Sequence, residues 1–302
     1  VNLEFNKEID YIVAHAKCEV GLYRTEHMFM EKGEFPSHNE QYHQYKMLAE
    51  RIYPSRVTIR TFDVGGDKLL PEPQKEANPF LGWRGIRIFL DKKNLFVSQL
   101  KAILRASTKG NLKIMFPMIM SVDEILEIKT LLNQAKHDLR AKRIPFDENI
   151  EIGIMIEVPS AVFLADALAK EVDFFSIGTN DLIQYILAVD RDSSIVSALY
   201  QQFHPAVLKA INEIIRAAAR NRISLNVCGE MAGDSLGAAL LIGMGVRELS
   251  VETTSLLRIK RLVRSISFEN ARKVAKQALK LETETEVREL LTRSFGKIAR
   301  EM

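Results

Sequence analysis

Cysteine is scarce in this chain of 302 residues: there are two, Cys18 and Cys228. That is too few for a disulfide framework and points to a reducing, cytoplasmic setting. Also lacking is any apolar run long enough to span a bilayer, and the opening VNLEFNKEID has no signal-peptide pattern. No low-complexity tract or flexible Gly/Ser linker divides the chain. An excess of one charge is missing too: 42 basic residues against 39 acidic ones leave +3, too balanced for nucleic acid as a general partner. The six histidines (His15, His27, His38, His43, His137 and His204) show no metal-ligand spacing. Position 1 is not Met, which reads as a processed or excised start. A soluble, cytoplasmic chain is expected, with neither membrane nor nucleic acid among its partners.

What is present is an alternation. Short, β-rich apolar runs at residues 1–5, 19–24, 56–62, 112–119, 151–158, 174–178, 224–228 and 246–251 read as strands. Helical patterns over 8–16, 37–51, 85–107, 122–140, 161–169, 205–221 and 237–244 lie between them, with apolar residues at helical spacing, such as Leu95, Val97, Leu100, Ile103 and Leu104. A chain of this length suits two small domains or one large barrel. Eight strands separated by helices, with no second block of composition, favour a single α/β domain over 1–302. The expected architecture is a (β/α)8 TIM barrel to about residue 256, then about three C-terminal helices over 257–302.

On that fold the active site lies at the carboxyl ends of the strands. Those ends carry Arg24 and Glu26, Arg60 and Asp63, Pro117, Glu157, Asn180 and Asp181, and Cys228 and Glu230. So many charges are costly to bury unless they pair or bind a ligand. In SIGTNDLIQYILAVDR, residues 176–191, Asn180 and Asp181 stand where a strand meets a helix. They are either caps for that helix or part of a strand end that faces a site. Glu157 and Asp181 end consecutive strands, and a pair of hard oxygen ligands suits Mg²⁺; the other reading pairs them with Arg60 or Arg24. Arg24, Arg60, Arg84 and Arg191 offer planar forks that match phosphate and carboxylate. The other reading has Arg84 and Arg191 capping carbonyls or pairing with Asp190. FDVGGDK, residues 62–68, opens an irregular stretch to about Phe80, a length that usually serves function. There Gly65 and Gly66 let N–H groups approach an anion, and Lys68 adds a point charge. Cys228 is either a small core residue or, in a cationic setting, a proton donor. Cys18 reads as structural, and His204-Pro205 as a helix start. Mg²⁺, a dianion clamp and a positioned acid together suit a small phosphorylated or oxo acid.

The motifs GLYRTEHMFM, RTFDVGGDK, NPFLGWRGIR, ILRAS, IMFPMI, IGIMIEVPSA, VDFFSIGTNDLIQYILAVDR and VCGEMAGD follow one another from residue 1 to about residue 280. In this order and spacing they resemble the phosphoenolpyruvate-binding domain of the phosphoenolpyruvate–protein phosphotransferases, enzyme I of the bacterial sugar phosphotransferase system. GWRGIR with LAVDR sets them apart from pyruvate phosphate dikinase and phosphoenolpyruvate synthase, which share the TND element. The resemblance implies that Glu157 and Asp181 bind Mg²⁺, while Arg24, Arg60, Arg84 and Arg191 hold phosphate and carboxylate. Asn180 would assist at the phosphate with Lys68 nearby, and Cys228 would protonate the enolate carbon to give pyruvate. It also implies a homodimer and a phosphoryl acceptor histidine on a separate N-terminal domain, which in turn serves a histidine-containing phosphocarrier protein. Nothing here matches the family's Gly-rich Thr-Ser-His segment, so the chain reads as a carboxyl-terminal half. Two alternatives stay open: a fragment of a dikinase or synthase, and a non-catalytic module that senses phosphoenolpyruvate. The sequence departs from the family at Glu252 and Leu257, where a small residue and a proline are usual, and at Ile183, where threonine is common.

Overall fold

Each apolar run expected to form a strand does so, over a shorter span than the run itself. A computed structural model describes residues 1–15, 18–30, 34–65 and 76–300. The strands are β1 (Asn2–Leu3), β2 (Val20–Tyr23), β3 (Val57–Arg60), β4 (Leu112–Phe116), β5 (Glu151–Ile156), β6 (Phe174–Ile177), β7 (Ser224–Val227) and β8 (Glu248–Leu249). Their order in the sheet is the order of the sequence, and the pairings are parallel. Parallel neighbours need a crossover, and helices supply it between successive strands. This is the expected α/β class.

By its contacts the chain divides into two compact units. The first comprises Asn2–Met155 with Glu171–Asp173; the second comprises Val1, Ile156–Lys170 and Phe174–Met302. In the first, β3 is buried along its whole length, as a strand covered on both faces must be. Its outer layer is built on helices His38–Ile52 and Lys93–Ala106, which bury Tyr45, Leu48, Phe96 and Leu100. An aromatic chain runs through Phe62, Phe89, Phe96 and Phe116, with successive ring centroids about 6 Å apart. Helices His38–Ile52 and Val122–Ala141 both open on a capping box, Ser37 with Glu40 and Ser121 with Glu124. The helix expected over 85–107 is instead two, Ile86–Asp91 and Lys93–Ala106, because the backbone of Lys92 leaves the helical region between them.

The second unit holds β6 to β8. Helix Pro205–Asn221 starts where expected: His204 is its cap, and His204 Nδ1 accepts the Ala206 N–H at 3.2 Å. Its buried stripe of Val207, Leu208, Ile211 and Ile214 has the helical period read from sequence. The run expected over 161–169 is two short helices, Pro159–Phe163 and Ala165–Leu168. Three helices follow β8, Leu256–Ser265, Phe268–Ala278 and Glu284–Arg300. Among the described residues no helix is long and apolar enough to cross a membrane.

Candidate functional site

In the first unit, four charged residues at and beyond the strand ends form a buried ionic group. Arg60 is the last residue of β3, and Glu26 and Asp63 follow β2 and β3. The Glu26 Oε1 atom accepts the Asp63 N–H at 2.7 Å and Arg60 Nη2 at 3.0 Å. Asp63 Oδ2 lies 3.3 Å from Arg60 Nη1 and accepts Arg84 Nη2 at 2.9 Å. Thr25 Oγ1 donates to the Arg60 carbonyl at 3.0 Å, tying β2 to the end of β3. All four charged side chains are buried, and Asp63, bonded to both arginines, is only 1% exposed. Two guanidiniums thus meet two carboxylates. Arg24 lies outside it, half-buried and 3.3 Å from Glu4.

Two glycines make the close packing of this group possible. Gly85 has φ 55°, and a Cβ there would come within 3.0 Å of Asp63 Oδ1. Gly65 has φ 104° and forms an isolated antiparallel bridge with Arg84; a Cβ there would lie 2.3 Å from the Trp83 carbonyl oxygen. The close approach expected of the glycine pair is therefore made, at Gly65, to the chain's own backbone beside Arg84. Gly66 and Lys68 lie outside the described residues.

The second unit holds Glu157, Asn180, Asp181, Arg191, Cys228 and Glu230. Successive strand ends are locked in step: Ile156 O accepts the Gly178 N–H at 3.2 Å, Ile177 O the Cys228 N–H at 3.1 Å, and Val227 O the Ser250 N–H at 2.8 Å. Glu157, just beyond β5, is buried. The cap of helix Thr179–Leu187 is Gly178, with no side-chain bond, so Asn180 and Asp181 are not the caps that their residue types suggest. They sit inside the first turn, where the positive helix end favours the Asp181 carboxylate. Asn180 turns to Glu230 instead: its Nδ2 donates to Glu230 Oε1 and its Oδ1 accepts the Glu230 N–H, both at 2.7 Å. Arg191 Nη1 lies 3.7 Å from Glu230 Oε1 and 32% of its side chain is exposed; its ion pairs are with Glu230 and Asp192, not with Asp190.

Cys228 is buried at the end of β7 but has polar company. Its Sγ is 3.6 Å from the Ile177 carbonyl oxygen and 3.2 Å from Ser176 Oγ. Ser176 Oγ is also 2.5 Å from Asn226 Oδ1, so its one proton is shared between an amide oxygen and the sulfur. Gly229 follows, and a Cβ there would fall 1.9 Å from Thr179 Oγ1 and 2.9 Å from Asn180 Oδ1. Thr179 Oγ1 and Arg191 Nη1 are buried atoms without a hydrogen-bond partner among the described residues. Ser176 and Tyr200 were not legible as site residues. Tyr200 O–H donates to the Asn180 carbonyl at 3.2 Å. Burial first, and then the Glu230 charge, raise the Tyr200 pKa well above the usual phenol range, keeping it a donor. The only sequence signal for Ser176 is a polar residue at a buried position of an apolar strand.

The fold and these two sets of strand-end residues define an α/β enzyme-like domain of the parallel-barrel class. Among solved structures, a citrate lyase from Burkholderia xenovorans LB400 shares the fold, with a TM-score of 0.57 at 13% identity over 98% of this chain and 91% of that one. A family model described as "PEP-utilising enzyme, PEP-binding domain" matches residues 1–268, and the chain belongs to that family. Similar curated proteins carry the name phosphoenolpyruvate-protein phosphotransferase. The one from Buchnera aphidicola subsp. Acyrthosiphon pisum is 49% identical over 91% of this chain and 48% of its own length. The Haemophilus influenzae protein is 47% identical over 90% and 48%, and the Priestia megaterium protein 45% identical over 97% and 52%. The chain therefore spans about half the length of the curated relatives it matches.

Proposed function

We propose that this chain is the phosphoenolpyruvate-binding part of a cytoplasmic phosphoenolpyruvate–protein phosphotransferase. It binds phosphoenolpyruvate with Mg²⁺ and passes the phosphoryl group to a histidine on a separate N-terminal domain, from which a histidine-containing phosphocarrier protein is served. The observation that carries the reading is the family match over residues 1–268, which takes in every strand-end residue described above.

The donor set suits the metal. Glu157 and Asp181 supply two hard carboxylates, and among the described residues no group of three or more His, Cys, Asp and Glu could hold a metal. Two carboxylates with the rest left to water and substrate oxygens is the arrangement Mg²⁺ favours. Bound there, the ion would supply charge neutralisation to the phosphoenolpyruvate oxygens.

The remaining roles belong to side chains. Arg24, Arg60, Arg84 and Arg191 hold phosphate and carboxylate, with Asn180 and Lys68 at the phosphate. Glu26 and Asp63 keep Arg60 and Arg84 aimed before the substrate arrives, so little reorganisation accompanies the development of charge. Phosphoryl transfer gains chiefly from such positioning. The P–O bond to the enol breaks as the bond to the acceptor nitrogen forms. The enolate then takes the Cys228 thiol proton at its terminal carbon, giving pyruvate, and the thiolate is reprotonated from water. The Ser176 hydroxyl beside the sulfur stabilises that thiolate. A homodimer is part of the proposal, supported by exposed apolar residues on the second unit such as Phe163 and Ile195.

Calorimetry tests the reading. Phosphoenolpyruvate should bind this chain with Mg²⁺ and bind far more weakly with chelator or in Asp181→Ala. Equal affinity with and without the metal would remove Glu157 and Asp181 from the assignment.

A further inference from the structure

A cavity of about 690 Å³ opens on the first unit between helices Lys93–Ala106 and Val122–Ala141. That volume lies in the range of small-molecule sites. Val97, Leu131 and Ile144 contribute apolar surface to its wall, while Lys93, Lys101, Arg105 and Lys142 supply cations and Asp138, among the described residues, the one carboxylate.

The ion pairs decide which charges remain available. Lys101 Nζ is 2.5 Å from Asp138 Oδ2, and Lys93 Nζ is 2.6 Å from Glu127 Oε1, so those two cations are compensated. Arg105 has neutral partners: His38 Nε2 at 2.5 Å, Asn39 Oδ1 at 3.3 Å and the face of Tyr42 at 4.0 Å. His38 is fixed as the acceptor in that bond, because its Nδ1 donates to the Ser98 carbonyl at 3.1 Å. Lys142 has no ion pair among the described residues. Two positive charges are thus left uncompensated beside an apolar wall. Their fields converge at His38, whose pKa is lowered first by burial and further by Arg105, Lys101 and Lys142, against the Ser98 bond.

We infer that this cavity is a binding site for a small phosphate monoester, its dianion between Arg105 and Lys142 and its carbon skeleton on Val97, Leu131 and Ile144. Two uncompensated cations match the charge of a phosphate dianion, and the planar guanidinium suits its oxygens. The apolar wall favours an ester over the inorganic ion.

His38 reports on the cavity directly, since among the described residues no other histidine lines it. With phenyl phosphate as the probe, the His38 imidazole resonance, assigned through His38→Gln, should shift saturably, with half-saturation at about 1 mM or below. Inorganic phosphate should bind more weakly, and phenol should leave the resonance unmoved. The exposed substitution Lys142→Glu should lower phenyl phosphate affinity about tenfold or more at His38 and leave the melting temperature nearly unchanged. A His38 resonance that does not saturate, or that responds identically in Lys142→Glu, would overturn the assignment.

Discussion

In the first unit Glu26, Arg60, Asp63 and Arg84 keep their charges buried and paired with one another, whereas in the second Arg191 and Glu230 are partly exposed and loosely paired. Glu26, Arg60, Asp63 and Arg84 bond to one another at 2.9–3.3 Å with almost no solvent contact. Arg191 and Glu230 approach only to 3.7 Å, with the Glu230 side chain 70% exposed. The first arrangement is a rigid one, because taking away any member strands a charge in a low dielectric. The second is open to rearrangement, because its charges are partly exposed and its closest ion pair is long. The two sets thus differ in how firmly their guanidiniums are held: Arg60 and Arg84 by short buried bonds, Arg191 by a long contact with an exposed carboxylate.

The sharpest way to break the contrast is to remove a carboxylate from each set. Asp63→Ala takes the carboxylate from buried Arg84 and leaves Arg60 with Glu26 alone, and should cost about 3–5 kcal/mol in denaturant unfolding. Glu230→Ala removes an exposed, loosely paired charge and should cost less than about 1 kcal/mol. Equal losses would mean that burial does not distinguish the two sets. A smaller effect is expected at the packed turn within the second set. Gly229→Ala places a methyl against Thr179 and Asn180 and should cost about 1–3 kcal/mol. It should also part Asn180 from Glu230 and weaken phosphoenolpyruvate binding in the same calorimetric assay; unchanged affinity would leave that pair without a role in the ligand site.

Cys228→Ser asks about chemistry more than stability. The serine hydroxyl can reach the same partners, so unfolding should change by no more than about 1 kcal/mol. Phosphoenolpyruvate affinity should persist, while pyruvate formation by the full-length protein falls about 10²-fold or more, because serine is a far weaker acid. Normal turnover would return Cys228 to the core-residue reading.

The smallest effect lies away from both sets, at Glu124. Its carboxylate accepts the Met120 N–H at 2.7 Å and the Ser121 N–H at 3.2 Å, yet burial still raises its pKa above the ordinary value. The folded state therefore holds the proton more tightly than the unfolded chain, and this group's contribution to stability falls as pH rises from the unfolded pKa through the folded one. Glu124→Gln keeps an oxygen acceptor for the capping box and removes the titration. It should be neutral to slightly stabilising near neutral pH and flatten that part of the stability profile. An unchanged slope would mean that Glu124 does not titrate abnormally.

How much of this was legible in the sequence depends on the distance over which each interaction is decided. All eight strands were legible because each is a short apolar run between helical patterns, and helix Pro205–Asn221 because its cap and its stripe are local. The break at Lys92 was not: the helical spacing continues through it, and only tertiary packing separates Ile86–Asp91 from Lys93–Ala106. Asn180 and Asp181 were assigned as caps from residue type alone, but Gly178 takes the cap and Asn180 finds Glu230, fifty positions on. Likewise, that Arg60 and Arg84 are engaged by Glu26 and Asp63 depends on where β2 and β3 end in space. The strand-end positions of these residues were readable; their partners were not.

The buried ionic group of the first unit also bears on ionic strength. Dissolved ions shorten the reach of exposed charges to about 3 Å at 1 M salt but penetrate poorly where water does not go. Concentrated salt should therefore loosen Arg191 from Glu230 while leaving Arg60 and Arg84 held by Glu26 and Asp63, so the domain would lose its outer charges to the medium and keep its inner ones aimed.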